Sequence, residues 1–184
     1  MSTLPGFFVR VRSRELRRVR EWIQPGPDRR ILDVGGGNGD VSAWIVGGSG
    51  AAVTVLEPRA ARVASGERRH PELAFVAGQG ERIPFPDGSF DRVLAMRSFH
   101  HMHGQAAFLQ EARRVLVAGG RLIVEELDPS SPVGLLFQLL HLGRRHEHLE
   151  FLDSDSLRTQ LAATGFLEIE VARYRRWYFV TATR

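Results

Sequence analysis

The sequence predicts an α/β fold, a doubly wound and mostly parallel seven-stranded sheet with an antiparallel hairpin at one edge. Short apolar runs typical of buried parallel strands alternate with segments of helical periodicity along the chain. A glycine-rich turn joins the first of these strands to the next helix. Two strand-like segments end the chain with only a tight turn between them, which favours the edge hairpin.

The composition fits one globular domain. The chain has 184 residues, of which 43% are hydrophobic and 25% charged. We therefore expect a single domain over 1–184, with an N-terminal helical extension at 1–27 and a substrate lid at 129–152. No apolar run reaches the length of about 20 residues that a membrane span needs, and no signal-like segment begins the chain, so a cytoplasmic protein is predicted.

Cysteine and lysine are both missing from the sequence. Without cysteine, the chain has no disulfides and no thiolate chemistry, and it lacks the commonest zinc ligands, so no metal site is predicted. All 25 basic residues are arginine, which is typical of a coding bias. The net charge of +4 is modest, so a nucleic-acid partner is not favoured, although arginine-rich segments keep that alternative open.

The first half of the chain alternates helices and strands. Ser13 is a suitable N-cap for the first helix, and a Pro-Gly-Pro turn ends it. The strand that follows runs directly into the glycine turn. The elements expected here are a helix at 13–23, a strand at 30–34, a helix at 38–45, a strand at 52–56, a helix from 58 to about 66 and a strand at 73–77.

The second half begins with a loop at 78–90 that is too rich in glycine and proline for regular structure. The apolar run at 133–142 covers most faces of a helix and lies inside the expected lid. The elements predicted around these segments are strands at 91–96 and 121–124, helices at 105–116 and 154–164, and closing strands at 167–172 and 177–183.

The predicted sheet selects candidate site residues. In open α/β sheets, ligands bind beyond the carboxyl ends of the strands, where the strand order reverses. This rule nominates the glycine turn, the loop at 79–81, the segment at 97–103 and the acids Glu57, Glu125 and Glu126.

The spacing of the glycine turn discriminates between cofactors. A dinucleotide fingerprint requires a third glycine at position 40, where the sequence has Asp40. The spacing is instead Gly35-x-Gly37-x-Gly39, and Asp33 adds a second carboxylate. Acids disfavour a pyrophosphate but suit a ligand that carries a sulfonium and an ammonium group. A nicotinamide oxidoreductase is therefore the weakest interpretation.

The sequence resembles the class I S-adenosylmethionine-dependent methyltransferases, specifically the small-molecule group of the ubiquinone and menaquinone biosynthesis type. The resemblance extends from about Arg29 to the end and implies a Rossmann-like methyltransferase fold. Four stretches carry it in order: Leu32-Asp33-Val34-Gly35-Gly36-Gly37-Asn38-Gly39, the acid Glu57, the segment at 81–91 from Glu81 to Asp91, and the segment at 114–122 from Arg114 to Leu122.

The resemblance implies S-adenosylmethionine as the cofactor and assigns roles to particular residues. The three glycines of the turn would wrap the methionine and ribose portions, and Asp33 would reach the amino acid end directly or through water. Glu57 would accept hydrogen bonds from the ribose hydroxyls. The sequence departs from the family at Gln79, where an Asp usually faces the adenine amino group. The cofactor-binding residues predicted in this way are Asp33, Gly35, Gly37, Gly39, Glu57, Pro58, Gln79, Gly80, Glu81, Met96 and Arg97.

The resemblance predicts methyl transfer to a small, partly apolar acceptor. The displacement needs a general base only if the acceptor must lose a proton, and His101 and Glu126 are the candidates. Structural packing remains the alternative for the histidine, and an ion pair with arginine for the acid. An RNA methyltransferase and a non-catalytic cofactor-binding protein that acts through a partner remain open, as does a homodimer.

Overall fold

The computed structural model of the protein describes residues 13–141 and 149–184. Seven strands form one sheet, in which neighbouring strands follow the order β3-β2-β1-β4-β5-β7-β6. Pairing is parallel from β3 through β5, and β7 pairs antiparallel with both β5 and β6. The predicted fold class is confirmed. The strands are β1 (Arg30–Val34), β2 (Ala52–Glu57), β3 (Ala74–Ala77), β4 (Phe90–Met96), β5 (Leu116–Leu127), β6 (Leu167–Tyr174) and β7 (Trp177–Thr183).

Helices cover both faces of the sheet, as alternation along the strands requires. In β1, Ile31 belongs to one buried cluster and its neighbour Leu32 to the other, because successive side chains point to opposite faces. The helices are α1 (Ser13–Ile23), α2 (Asp40–Val46), α3 (Ala60–Arg69), α4 (Gln105–Val115), α5 (Pro132–His141) and α6 (Ser154–Thr164), with a 3₁₀ turn at Phe99–His101. The clusters place α1 and α2 on one face and α4 and α6 on the other.

The strand order creates a crevice in the middle of the sheet. The chain runs outwards from β1 through β2 to β3 and then crosses back to β4 on the other side of β1. The connections therefore diverge at the carboxyl ends of β1 and β4, which is the switch point at which ligands bind in such sheets.

The fifth strand differs from its prediction. The strand expected at 121–124 extends over Leu116–Leu127, so that Glu125 and Glu126 lie within it rather than beyond its end. At the carboxyl end the cause is β7, which pairs with β5 as far as Leu127 opposite Trp177, whereas β4 pairs only as far as Glu125. An antiparallel partner thus extends the strand beyond its parallel neighbour.

Most other boundaries agree with the sequence to within a few residues, and α1 and α6 have the predicted limits. The helix expected at 38–45 begins only at Asp40, because Gly39 has a left-handed φ of 79°. Of the expected N-terminal extension and lid, 1–12 and 142–148 lie outside the described residues. Within the described ranges, no helix combines the length and apolar character that crossing a membrane requires.

Candidate active site

The glycine turn after β1 brings the chain tightly against the end of β4. Gly35 has a φ of 74°, and a Cβ at this position would lie 2.5 Å from the Cβ of Ser98. The Gly35 N–H donates to the Leu56 carbonyl at 2.7 Å, and the Ser98 hydroxyl donates to the Val34 carbonyl at 2.6 Å. Only glycine meets both the conformational and the steric requirement here. The turn is thereby fixed between the ends of β2 and β4.

Glu57 ends β2 with a carboxylate that is only 1% exposed. Its Oε2 accepts the Gly37 N–H at 3.2 Å, which links the acid to the glycine turn. Its Oε1 accepts the backbone N–H of Arg59 at 3.2 Å and the Arg59 Nε at 2.9 Å. These contacts hold the acid where a hydroxyl-bearing ligand can reach it from the crevice.

The loop after β3 packs against the opposite wall. A Cβ on Gly80 would lie between 3.0 and 3.2 Å from Val34, Phe108 and Met102, so the backbone approaches the core closely at this point. Glu81 Oε1 accepts the His103 N–H at 2.8 Å. This bond ties the loop to the segment that follows β4, and the two segments form one rim.

Arg97 follows β4 in a left-handed conformation with a φ of 56°, which is uncommon for a residue with a side chain. Its N–H donates to the Glu125 carbonyl at 2.8 Å and its Nε to the Glu125 carboxylate at 3.0 Å. The guanidinium Cζ lies 3.5 Å from the centre of the Trp177 ring. Contacts with the Glu125 carboxylate of β5 and the Trp177 ring of β7 thus hold Arg97 in this strained conformation.

A cavity of about 680 Å³ lies between these segments. Its size is in the range of small-molecule sites, roughly 300 to 1,000 Å³. It collects predicted residues that are up to 66 positions apart in sequence, from Gly35 to His101. The predicted residues that line the cavity are Gly35, Glu57, Pro58, Gln79, Gly80, Glu81, Arg97 and His101.

The remaining predicted residues lie outside this lining, where they support it. Met96 packs against the core on the face that α1 covers, so that Arg97 is the member of that pair that lines the cavity. Gly37 meets Glu57 through its N–H, and a Cβ on Gly39 would approach Phe75 to 2.8 Å. These two glycines shape the turn rather than form the cavity surface.

Asp33 lies beneath the glycine turn and outside the cavity lining. The carboxylate is 1% exposed and accepts the Ser42 hydroxyl, while its Oδ1 has no hydrogen-bond partner among the described residues. Burial raises the pKa of Asp33 to about 6, against the lowering effect of the Ser42 hydrogen bond and with a smaller raising effect of the nearby Glu57 charge.

Glu126 lies in the protein interior and outside the cavity lining. It is 2% exposed and accepts His100 Nδ1 at 2.6 Å, with the Phe99 N–H at 3.0 Å. The His100 ring stacks on Phe151 at 4.5 Å between centroids. The acid therefore holds the 3₁₀ turn in place. Glu125 faces the opposite side of the sheet, as strand alternation predicts.

His101 lines the cavity, with its ring 4.2 Å from that of His100. A chain of contacts thus leads from His101 through His100 and Phe151 to Phe137 of α5, whose ring meets Phe151 edge-on at 5.7 Å. The cavity lining contains no residue of α5 itself. Large apolar side chains of α5 are exposed instead, namely Val133, Leu135, Leu136, Leu139 and Leu140.

Two basic residues of the cavity were not predicted from the sequence. Arg59 and Arg62 both line it beside Glu57. They follow that acid by two and five positions, at the beginning of α3. The topological rule selects the end of a strand, and extending it to the first turn of the next helix would have found them.

The site can be compared with known proteins. Over 115 residues the chain is 40% identical to the demethylmenaquinone methyltransferase of Beutenbergia cavernae, which covers 62% of this chain and 47% of that protein. Identity to the ubiquinone/menaquinone biosynthesis C-methyltransferase of Paracoccus denitrificans is 35% over 125 residues, with coverage of 64% and 50%. The chain thus spans about half the length of these relatives.

Solved structures agree on the fold. A S-adenosylmethionine-dependent methyltransferase from Mesorhizobium loti superposes with a TM-score of 0.78 at 16% identity, over 94% of this chain and 97% of that one. Residues 32–124, just over half of the chain and including every residue of the cavity lining, match the methyltransferase domain family. The chain therefore belongs to this family of methyltransferase domains.

Proposed function

We propose that this protein binds S-adenosylmethionine in the cavity and transfers its methyl group to a small, partly apolar acceptor. The observation that carries the proposal is the position of Glu57, a nearly buried carboxylate that faces the cavity from the end of β2. An ionised carboxylate only accepts hydrogen bonds, which suits the two hydroxyls of a ribose.

The rest of the cavity supports the same ligand. The exposed Gln79 offers a carbonyl acceptor to an adenine amino group, and the Gly78-to-Glu81 loop presents its backbone alongside. Gly35 contributes the main chain of the glycine turn to the cavity lining. When bound, the cofactor supplies an electrophilic methyl group on a positively charged sulfur.

The chain's own residues would align the acceptor and receive its proton. The residues after β4 that line the cavity include His101 and His103, whose side chains can accept a proton, and His101 is the predicted base. Alignment and exclusion of water supply much of the acceleration in an in-line displacement. Glu126 contributes by holding the neighbouring turn.

Calorimetry with the whole chain tests the cofactor. We expect micromolar binding of S-adenosylmethionine and of S-adenosylhomocysteine, its demethylated product, and no binding of NAD. Binding of NAD without a response to the other two ligands would overturn the proposal.

Transfer of labelled methyl groups tests the reaction. The two relatives above are named for quinone-type acceptors, so a short-chain demethylmenaquinol is the first acceptor to try. We expect incorporation to fall in His101→Gln and to persist in His70→Gln, which changes a histidine outside the cavity lining. Steeply salt-dependent RNA binding, with no transfer to small aromatic acceptors, would favour the RNA alternative instead.

A further inference from the structure

We propose that Arg59 competes with the ribose for Glu57, so that its guanidinium must leave the carboxylate when the ligand binds. Arg59 thereby lowers the affinity for ligands that carry both ribose hydroxyls. This inference rests on the proposed function, because it concerns the same end of the cavity. It gives a role to Arg59, which lines the cavity but has no part in the proposed binding of the cofactor by the glycine turn and Glu57.

The competition follows from counting acceptor positions. A carboxylate offers about four lone-pair positions in total. Oε1 of Glu57 uses both of its own for Arg59, one for the backbone N–H at 3.2 Å and one for Nε at 2.9 Å. Oε2 uses one for the Gly37 N–H at 3.2 Å. Among the described contacts, one position is open, whereas a ribose diol donates two hydrogen bonds.

The Nε contact is the one able to give way. The two backbone donors are fixed by the glycine turn and by the start of α3, where the Arg59 carbonyl accepts the Arg62 N–H at 2.9 Å. The Arg59 side chain is 60% exposed while that of Glu57 is 1% exposed, so the guanidinium can return to water at little cost. The Glu57 carboxylate would then accept a hydrogen bond from a ribose hydroxyl in place of the one from Arg59 Nε.

The position of Arg59 in α3 supports a role of this kind. Arg59 is the N-cap residue of the helix, but its side chain makes no capping hydrogen bond. Serine, threonine, aspartate or asparagine at an N-cap stabilises a helix through such a bond. The sequence thus has, at a capping position, a side chain that turns back onto Glu57 instead.

Arg62 provides a matched control. It lines the same cavity and carries the same charge, but its NH1 lies 3.9 Å from Glu57 Oε2, beyond hydrogen-bond distance. Removing Arg62 changes the local charge without freeing an acceptor position. Removing Arg59 does both.

The experiment is calorimetry of the whole chain with S-adenosylhomocysteine and with its 2′,3′-dideoxy analogue. We expect Arg59→Ala and the helix-capping variant Arg59→Ser to bind S-adenosylhomocysteine roughly two- to five-fold more tightly, the scale of an exposed ion pair. The affinity for the dideoxy analogue should not change. Arg62→Ala should leave the ratio between the two ligands as it is in the unmodified protein.

Three results would overturn the inference. Weaker binding by the Arg59 variants would make Arg59 a direct ligand contact. An equal gain for both ligands, or the same gain in Arg62→Ala, would make the effect one of general charge. If neither the unmodified protein nor any variant binds S-adenosylhomocysteine, the proposed function itself fails, which is a different outcome from binding that ignores Arg59.

Discussion

The acids at the carboxyl ends of β2 and β5 are held in different ways. On the side of β1 and β2, the backbone of the glycine turn and one carboxylate, Glu57, face the cavity directly. On the side of β5, the acids are paired within the protein, Glu126 with His100 and Glu125 with Arg97. A carboxylate near the end of a strand is therefore available to a ligand only when no side chain from a distant part of the sequence is bonded to it.

The largest expected effect concerns the paired side. Glu126→Ala would leave His100 and the Phe99 N–H buried without their acceptor, and we expect a loss of about 3 to 5 kcal/mol in the free energy of unfolding. Urea denaturation measures it. Glu126→Gln, which keeps the volume and one acceptor, should lose less. A loss below about 1 kcal/mol in the alanine variant would show that Glu126 is not structural, and the contrast between the two sides would fail.

The next effect concerns the open side. Glu57→Ala should weaken binding of S-adenosylhomocysteine by roughly 30- to 150-fold, or about 2 to 3 kcal/mol, because both ribose hydroxyls lose a charged acceptor. Calorimetry measures the change. Glu67→Ala removes the same charge from an exposed position of α3 and should bind normally. Unchanged affinity in Glu57→Ala would remove this acid from the site.

Asp33 differs from both Glu126 and Glu57. It is buried beneath the glycine turn and lies outside the cavity lining. The pKa is about 6 in the folded protein and near 3.9 in an unfolded chain, so between these values the folded state binds more protons. The stability contribution of Asp33 therefore falls as the pH rises from about 4 to 6, and the cost is complete above that window.

Asp33→Asn should remove this dependence. The variant should gain stability relative to the unmodified protein across the same window, by up to about 3 kcal/mol at pH 7. Urea denaturation at several pH values measures the difference. Ser42→Ala serves as a comparison, because it leaves the carboxylate buried without its hydroxyl donor and should lower stability most where Asp33 is ionised. A difference between Asp33→Asn and the unmodified protein that is constant from pH 4 to 7 would contradict the prediction.

The same contrast explains how far the sequence could predict the molecule. The fold class, the glycine turn and the place of Glu57 at the end of a strand depend on local spacing and on the order of elements along the chain, which the sequence contains directly. The carboxyl end of β5 depends on its pairing with β7, in which Leu127 lies opposite Trp177, 50 positions away. The burial of Glu126 depends on its hydrogen bond with His100, which lies in the 3₁₀ turn that follows β4. Partners of this kind are not visible in a periodic pattern.

Arg59 and Arg62 illustrate a second limit. Both positions follow a predicted site residue, yet arginine at the start of a helix is usually interpreted as a solvated side chain. Only the geometry of the first turn of α3 brings the two guanidinium groups to Glu57. The composition favours the interpretation as solvated side chains, because arginine takes the place of lysine throughout the chain.

The smallest expected effect concerns Gln79, in the loop that follows β3. Gln79 lines the cavity with an exposed side chain, so its replacement should not disturb the fold. Gln79→Asp should tighten binding of S-adenosylhomocysteine by about 1 kcal/mol, or roughly five-fold, because a charged acceptor forms a stronger hydrogen bond with the adenine amino group than an amide does. Calorimetry with S-inosylhomocysteine, which has a carbonyl in place of that amino group, is the control. The gain should vanish with this ligand. An equal gain for both ligands would mean that position 79 acts through charge on the whole cavity and not through the adenine edge.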